Sequence, residues 1–283
     1  MPEMNPLDHL ISLALAEDIG PGDWTTEWTV DDKASGRGVI VAKAPLVVSG
    51  TAAAIEVFHQ VDPRLQVRLK ARDGGRLEPG EELLEVEGPL RGILTGERVA
   101  LNFLGHLSGI ATLTRKYVDA VRETGARILD TRKTMPGWRI LEKDAVRAGG
   151  GENHRMGLHD MILVKDNHLV AAGGVRAAVQ RIRDMNGMEL EVEVEVKTLD
   201  ELEELLPLGV QRVLLDNMDL RTMKVAVSMV GTMGEHRPLV EASGNMNLDT
   251  VQAVAETGVD FISVGALTHS APGADLSLRV FEK

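Results

Sequence analysis

From about residue 127 onward, short apolar runs alternate with amphipathic stretches, and this rhythm restricts the chain to few folds. The runs cover residues 126–130, 161–164, 190–196, 212–215, 238–242 and 261–264, with helical patterns at 198–206, 220–230 and 248–256 between several of them. Strands alternating with helices of this length form βαβ units on a parallel sheet. Asn247 signals the start of the last helical pattern and Gly258 its stop. The runs end at or near Arg132 and Lys133, Lys165 and Asp166, Glu195, Asp216, Ser243 and Gly265. Counted from Lys133, the spacings are 32, 30, 21, 27 and 22 residues, each about one βα repeat. In a (β/α) barrel the C-terminal strand ends share one mouth, where the chemistry is placed. These residues can then face a single pocket. Strands also end in polar residues simply because loops are wet, and any one run fits that reading equally well.

The N-terminal part reads differently. A helix over 6–19 precedes β-like runs at 38–42, 46–49, 65–70 and 82–86, with turn signals at Asp73-Gly-Gly and Pro79-Gly. A long helical stretch over 94–124, broken near residues 105–109, leads into the barrel. The expected organisation is a smaller domain of mixed α and β structure over 1–110 and an α/β barrel over 111–275. Residues 276–283 would return to the first domain as a strand or a helix.

With 31 Lys plus Arg against 43 Asp plus Glu, the formal charge is −12, which argues against nucleic acid and anionic membranes as partners. Cysteine is absent, so disulfides, thiolate zinc sites, iron–sulfur clusters and a cysteine nucleophile are excluded together. No apolar run approaches the roughly 20 residues of a membrane span, and the N-terminus has no basic leader pattern. A cytoplasmic protein is expected. Aromatic residues are only 3%, so the core must be aliphatic.

The charge is unevenly spread. Residues 127–168 hold eight Lys or Arg against six acids, a net +2 that leaves −14 on the rest of the chain. A cationic pocket in an anionic protein focuses multiply anionic small molecules. Arg132 and Arg155 can grip carboxylate or phosphate bidentately, whereas Lys133 and Lys165 act as mobile point charges. Residues 139–147 instead read as a structural helix with a solvated charged face. Gly149-Gly-Gly could be a phosphate cradle, a lid or a helix terminus, and it lacks the spacing of a nucleotide P-loop. His154, His159, Asp160, Asp166 and His168 match no recognised metal spacing, which favours structural histidines. Glu195 and Asp216 form a carboxylate pair opposite the cationic rim, suited to developing positive charge on a sugar or to Mg²⁺ beside phosphate. The alternation EVEVEV would equally mark a strand with one wet face, leaving only its terminal Glu a claim on the pocket. The Gly-containing turns at Ser243 to Asn245 and Val264 to His269 suit a phosphate site, as the last loops of barrels often do. They are also ordinary tight turns.

The segments TRKTMPG (131–137), GGGENHR (149–155), LVKDNH (163–168), EVEV (193–196), LLDN (214–217), EASGN (241–245) and VGALTHS (264–270) together resemble the quinolinate phosphoribosyltransferases, decarboxylating enzymes of NAD biosynthesis. The resemblance runs nearly end to end, from ALAEDIGPGDWTT at 14–26 through GERVALNFLGHLSGIAT at 96–112. Trp24 and Trp138 stand where smaller aliphatics are usual, and EVEV is followed by Lys197. The family implies an N-terminal α/β open-faced sandwich domain plus a partly open (β/α) barrel. It also implies a homodimer, which could assemble further into hexamers, with Arg98 donated across the interface. The implied quinolinate ligands are Arg98, Thr131, Arg132, His154, Arg155 and Lys165, with Lys165 also counted as catalytic. Lys133 would meet the pyrophosphate of phosphoribosyl pyrophosphate, and Glu195 and Asp216 the ribose. Ser243, Gly244, Asn245, Val264, Gly265, Ala266 and His269 would line the 5′-phosphate site, Val264 by backbone alone. Mg²⁺ is the implied cofactor, carried by pyrophosphate rather than tightly held by protein. Competing readings are a phosphoribosyltransferase for another pyridine acid, a metal-dependent barrel lyase and a non-catalytic anion-binding protein.

Overall fold

The alternating Glu and Val of residues 191–196 form a strand in which every residue from Val192 to Val196 is buried. A strand buried on both faces belongs inside a parallel sheet with helices outside it, and this organises one of two compact units. The computed structural model describes residues 5–186 and 189–282. Residues 1–4 of the expected first domain and Lys283 of the C-terminal segment lie outside them. One unit comprises residues 1–115, 136–150 and 271–283, the other residues 116–135 and 151–270.

In the first unit, helices α1 (Pro6–Ile19), α2 (Trp24–Thr29) and α3 (Thr51–Val61) accompany strands β1 (Ser35–Ala42), β2 (Leu46–Val47), β3 (Gln66–Leu69), β4 (Arg76–Leu77) and β5 (Glu82–Pro89). Strand β12 (Leu276–Glu282) pairs antiparallel with β1 from Ala42↔Leu276 to Gly36↔Glu282, so the C-terminal segment is a strand. The four-stranded order is β12-β1-β5-β3, and β2 and β4 form a separate two-stranded ribbon. The two-residue β4 has no counterpart among the strands expected from sequence.

Helix α4 runs from Leu90 to Val121 without the break expected at residues 105–109. The glycines there admit a neighbouring chain segment. A Cβ on Gly109 would fall 2.2 Å from the Pro272 carbonyl oxygen, and the Gly105 carbonyl accepts the Ala274 N–H at 2.8 Å. Helix α5 (Arg139–Ala148) also departs from its expected solvated face, because Glu142 and Lys143 are fully buried. Glu142 is tolerated there because it pairs with His106 Nε2 at 2.7 Å. Trp138 stacks on Phe103 with centroids 4.6 Å apart and meets His106 edge-on. The Gly149 turn is the helix terminus among its three readings. Its N–H bonds the Ala145 carbonyl, and a Cβ would lie 2.5 Å from both the Ala111 carbonyl oxygen and Thr114.

The second unit is a parallel sheet of β6 (Arg127–Leu129), β7 (Ile162–Val164), β8 (Val192–Val196), β9 (Arg212–Asp216), β10 (Leu239–Ser243) and β11 (Phe261–Ser263), one strand from each apolar run. Their order is β6-β11-β10-β9-β8-β7. The end strands β6 and β7 are not paired with each other, which makes a partly open barrel. The free edge of β6 is met by Glu152, whose N–H donates to the Ile128 carbonyl and whose carbonyl accepts the Asp130 N–H. The helices are α6 (Asp166–Ala172), α7 (Val175–Asn186), α8 (Leu199–Leu205), α9 (Leu220–Gly231), α10 (Val251–Ala255) and α11 (Ala266–His269). Helix α10 starts later than Asn247 signals. The Asn247 Oδ1 accepts N–H bonds from Asp249 and Thr250 in a turn instead of capping the helix itself.

Candidate active site

Parallel strands direct their C-terminal ends to one side of the sheet, and the second unit has a cavity of about 770 Å³ walled by residues at those ends. Thr131, Arg132 and Lys133 follow β6, His154 and Arg155 precede β7, and Lys165 follows it. Glu195 lies at the end of β8, Asp216 ends β9, Ser243 to Asn245 leave β10, and Gly265, Ala266 and His269 follow β11. Every residue expected at the site therefore lines this cavity except Val264 and Arg98. Val264 is buried and its N–H already donates to the Leu129 carbonyl at 2.9 Å. Arg98 is exposed on α4 of the first unit, beside a separate cavity of about 340 Å³ that also includes Asp18, Asp23 and Trp24.

The cationic wall is held by backbone chemistry. The Thr131 hydroxyl oxygen accepts the Lys133 N–H at 3.1 Å, and the Lys133 carbonyl accepts the Thr268 hydroxyl at 2.8 Å. A Cβ on Gly265 would approach Lys133 Cδ to 3.1 Å and the His269 ring to 3.3 Å, so glycine leaves these side chains their room. Arg155 donates to the Met161 carbonyl at 3.2 Å, while the buried Arg132 Nε has no hydrogen-bond partner. Burial and the neighbouring Arg132 charge lower the Arg155 pKa. An anion bearing two carboxylates would offset the burial and the charge repulsion that lower the Arg155 pKa.

On the facing side, burial and the Asp216 charge raise the Glu195 pKa, with Lys165 opposing. Asn217 Nδ2 donates to Asp216 Oδ1 at 2.9 Å. Beneath the mouth lies a second acidic pair, Glu193 on β8 and Glu241 on β10, both fully buried. Glu193 bonds His154 Nε2 at 2.9 Å, and the Ser263 hydroxyl donates to Glu241 Oε1. Glu193 Oε1 is buried without a hydrogen-bond partner; Glu241 Oε2 also makes no hydrogen bond, at 3.5 Å from His154 Nε2. Burial pushes Glu193 up to about 7, and burial with the Glu193 charge pushes Glu241 up to about 8. The pair therefore retains a proton near neutral pH.

His154, Glu193 and Glu241 are the one group among the described residues whose donor atoms gather as a metal site requires, all within 4.8 Å. His154 Nε2 and the Ser263 hydroxyl already hydrogen-bond to this pair of carboxylates. Of the other groups weighed as metal ligands, Asp160 accepts the Met156 and Gly157 N–H groups, Asp166 pairs with Lys197 at 2.7 Å, and His168 Nδ1 accepts the Lys165 N–H.

Sequence reasoning missed Glu193, Glu241, Ser263 and Asn217 as site residues. The wet-face reading of EVEVEV fails at Glu193, because that face of β8 points into the sheltered interior. Glu241 and Asn217 sit inside quoted motifs, and their adjacency to Ser243 and Asp216 was the available signal.

Sequence comparison places this geometry in a family. The family model for the quinolinate phosphoribosyl transferase N-terminal domain matches residues 23–108 and that for the C-terminal domain matches residues 110–279. A probable nicotinate-nucleotide pyrophosphorylase [carboxylating] of Synechocystis sp. is 42% identical over 276 residues, covering 97% of this chain and 92% of the relative. The chloroplastic nicotinate-nucleotide pyrophosphorylase [carboxylating] of Arabidopsis thaliana is also 42% identical, over 293 residues, covering 97% and 82%. The nicotinate-nucleotide pyrophosphorylase structure from Francisella tularensis superposes with a TM-score of 0.92 at 38% identity, over 98% of this chain and 96% of that one. NadC from Streptococcus pyogenes gives 0.93 at 38% identity with complete coverage of both. The two domains, both matched in order on one chain, and the barrel mouth they lead to carry one conclusion: this chain belongs to the quinolinate phosphoribosyltransferase family.

Proposed function

We propose that the second unit's cavity transfers the phosphoribosyl group of phosphoribosyl pyrophosphate to quinolinate with decarboxylation, giving nicotinate mononucleotide, pyrophosphate and CO₂. The observation that carries this reading is that one cavity brings together two guanidiniums, Arg132 and Arg155, and two carboxylates, Glu195 and Asp216. One wall suits a dianionic acid and the other a sugar that becomes positive as its bond to pyrophosphate breaks.

Quinolinate lies with its carboxylates toward Arg132, Arg155, His154, Thr131 and Lys165, which orients the ring nitrogen toward ribose C1. The nitrogen lone pair forms the new bond to C1 as the C1–oxygen bond breaks, and the electron pair leaves with pyrophosphate beside Lys133. Glu195 and Asp216 stabilise the positive ribose, whose hydroxyls they also hold. Ser243 to Asn245 with Gly265, Ala266 and His269 take the 5′-phosphate. The ring nitrogen is now positive, so the C2–carboxylate bond can break to release CO₂ and leave its electron pair on C2 beside that charge. A proton then completes the product ring.

Mg²⁺ fits the anionic wall. Glu195 and Asp216 supply the hard oxygen donors Mg²⁺ takes, and the Asp216 charge that disfavours ionised Glu195 would be offset by a cation. The ion supplies neutralisation of the pyrophosphate charge. Chelation should abolish turnover, and Mg²⁺ should restore it.

The proposal extends to a homodimer in which Arg98 of each chain completes its partner's site. Arg98→Ala and Lys133→Ala should each be inactive, and mixing them should recover activity through the hybrid site that carries neither change. No recovery despite demonstrated subunit exchange would contradict the shared site. No helix among the described residues is long and apolar enough to cross a membrane. A cytoplasmic location is the compartment we propose; the names of the plant relatives assign several of them to chloroplasts or mitochondria. The substrate assignment is tested by supplying quinolinate or nicotinate with phosphoribosyl pyrophosphate and Mg²⁺. Turnover of nicotinate alone would overturn it.

A further inference from the structure

Two non-glycine residues with a positive φ, Asn217 at 53° and Asn245 at 49°, stand on neighbouring turns of the cavity wall. Left-handed backbone is disfavoured for side chains with a Cβ and persists where surrounding contacts fix it. Here the contacts are specific. The Asn217 N–H donates to the Ser243 carbonyl at 2.9 Å, continuing the β9–β10 pairing of Asp216 with Ser243. Asn217 Nδ2 donates to Asp216 Oδ1 at 2.9 Å, and Asn217 Oδ1 accepts Asn245 Nδ2 at 3.3 Å. A Cβ on Gly244 would fall 2.2 Å from that same Oδ1, so the glycine of this turn also makes way for the Asn217 amide.

We propose that Asn217 is a positioning residue that locks the Asp216 carboxylate and the Ser243–Asn245 turn into one unit, so that ribose and 5′-phosphate are recognised together. This rests on the assignment of Asp216 and the Ser243–Asn245 turn to phosphoribosyl pyrophosphate. One side chain spans both parts: its donor end fixes a carboxylate oxygen and its acceptor end fixes the turn. No other contact described for these turns links the two through a side chain. The lock acts on one substrate, because the guanidinium wall that would take quinolinate is built on other strands.

The test is steady-state kinetics of Asn217→Gly, which keeps the left-handed backbone accessible and removes the amide together with the Cβ that carries it. The KM for phosphoribosyl pyrophosphate should rise about tenfold, as expected for loss of a hydrogen bond to a charged group. The KM for quinolinate should stay within about twofold, and the melting temperature should be unchanged. Asn217→Asp, which keeps the acceptor for Asn245 but faces Asp216 with another carboxylate, should raise the phosphoribosyl pyrophosphate KM at least as far. In an Asp216→Ala background, Asn217→Gly should add much less, because its target oxygen is gone. An unchanged phosphoribosyl pyrophosphate KM in Asn217→Gly, or equal rises in both KM values, would overturn the positioning role. If Asp216→Ala and Ser243→Ala themselves leave that KM unchanged, the underlying substrate assignment fails instead.

Discussion

Two carboxylate pairs one layer apart in the same parallel sheet have opposite characters. Glu195 and Asp216 sit at the cavity mouth, where Lys165 and Lys197 temper the charge of Glu195. Glu193 lies two residues earlier on the same strand and the same face, paired with Glu241 and wholly removed from solvent. Solvent decides the difference. Burial and the Asp216 charge raise Glu195 too, but Lys165 and Lys197 oppose that shift, whereas the inner pair meets a larger desolvation cost that protonation relieves. Position along the strand, more than residue type, determines whether a glutamate lines the cavity, as Glu195 does, or lies beneath it against His154, as Glu193 does.

The largest expected effect separates the pairs by activity. Asp216→Ala or Glu195→Ala should lower kcat/KM on the order of 100-fold or more, the scale of losing an electrostatic group at a developing charge. The melting temperature should move little. Steady-state assays with thermal unfolding on the same samples check both statements.

The inner pair should show the reverse emphasis in stability. Glu241→Ala strips Ser263 of its acceptor and leaves a void, and should cost about 1–3 kcal/mol. Its ionisation also sets a pH dependence. Burial and the Glu193 charge raise the folded-state pKa of Glu241 from the ordinary carboxyl value of 4.5 to about 8, so its contribution is fully present below about 4.5 and is lost as pH rises through about 8. Wild-type stability should therefore decline from pH 5 to pH 9 more steeply than that of Glu241→Gln, which cannot ionise. Denaturant titrations across that range would show it, and parallel slopes would remove the proton from the inner pair.

The smallest effect belongs to the rim. Lys197 and Asp166 form a 2.7 Å pair, but each side chain is 48% exposed. Lys197→Ala should leave the denaturation midpoint nearly unchanged, as loss of an exposed pair does. A larger loss would show that the mouth is more sheltered than the comparison of pairs requires.

The parallel sheet was legible because each strand is a β-branched or aliphatic run bounded by polar residues, and six such runs became β6 to β11. The mouth was legible for the same reason, since strand ends bring distant residues together. The inner pair was not. EVEVEV has one period whether its glutamates face water or a barrel interior, and only the neighbouring strands distinguish the cases. The glycines at 105 and 109 misled in a related way. They read as helix breakers until Pro272 to Ala274, far along the chain, is seen to occupy the space they leave. Asn217 carries no sequence signal of strain, because a left-handed φ is a property of the fold.

The most direct test of the account follows both products from quinolinate labelled at its 2-carboxylate, with phosphoribosyl pyrophosphate and Mg²⁺ present. Labelled CO₂ and pyrophosphate should appear in equal amounts, and both should fall together, on the order of 100-fold, in Asp216→Ala. Pyrophosphate release with the label retained on the ring, or full activity without the Asp216 carboxylate, would contradict it.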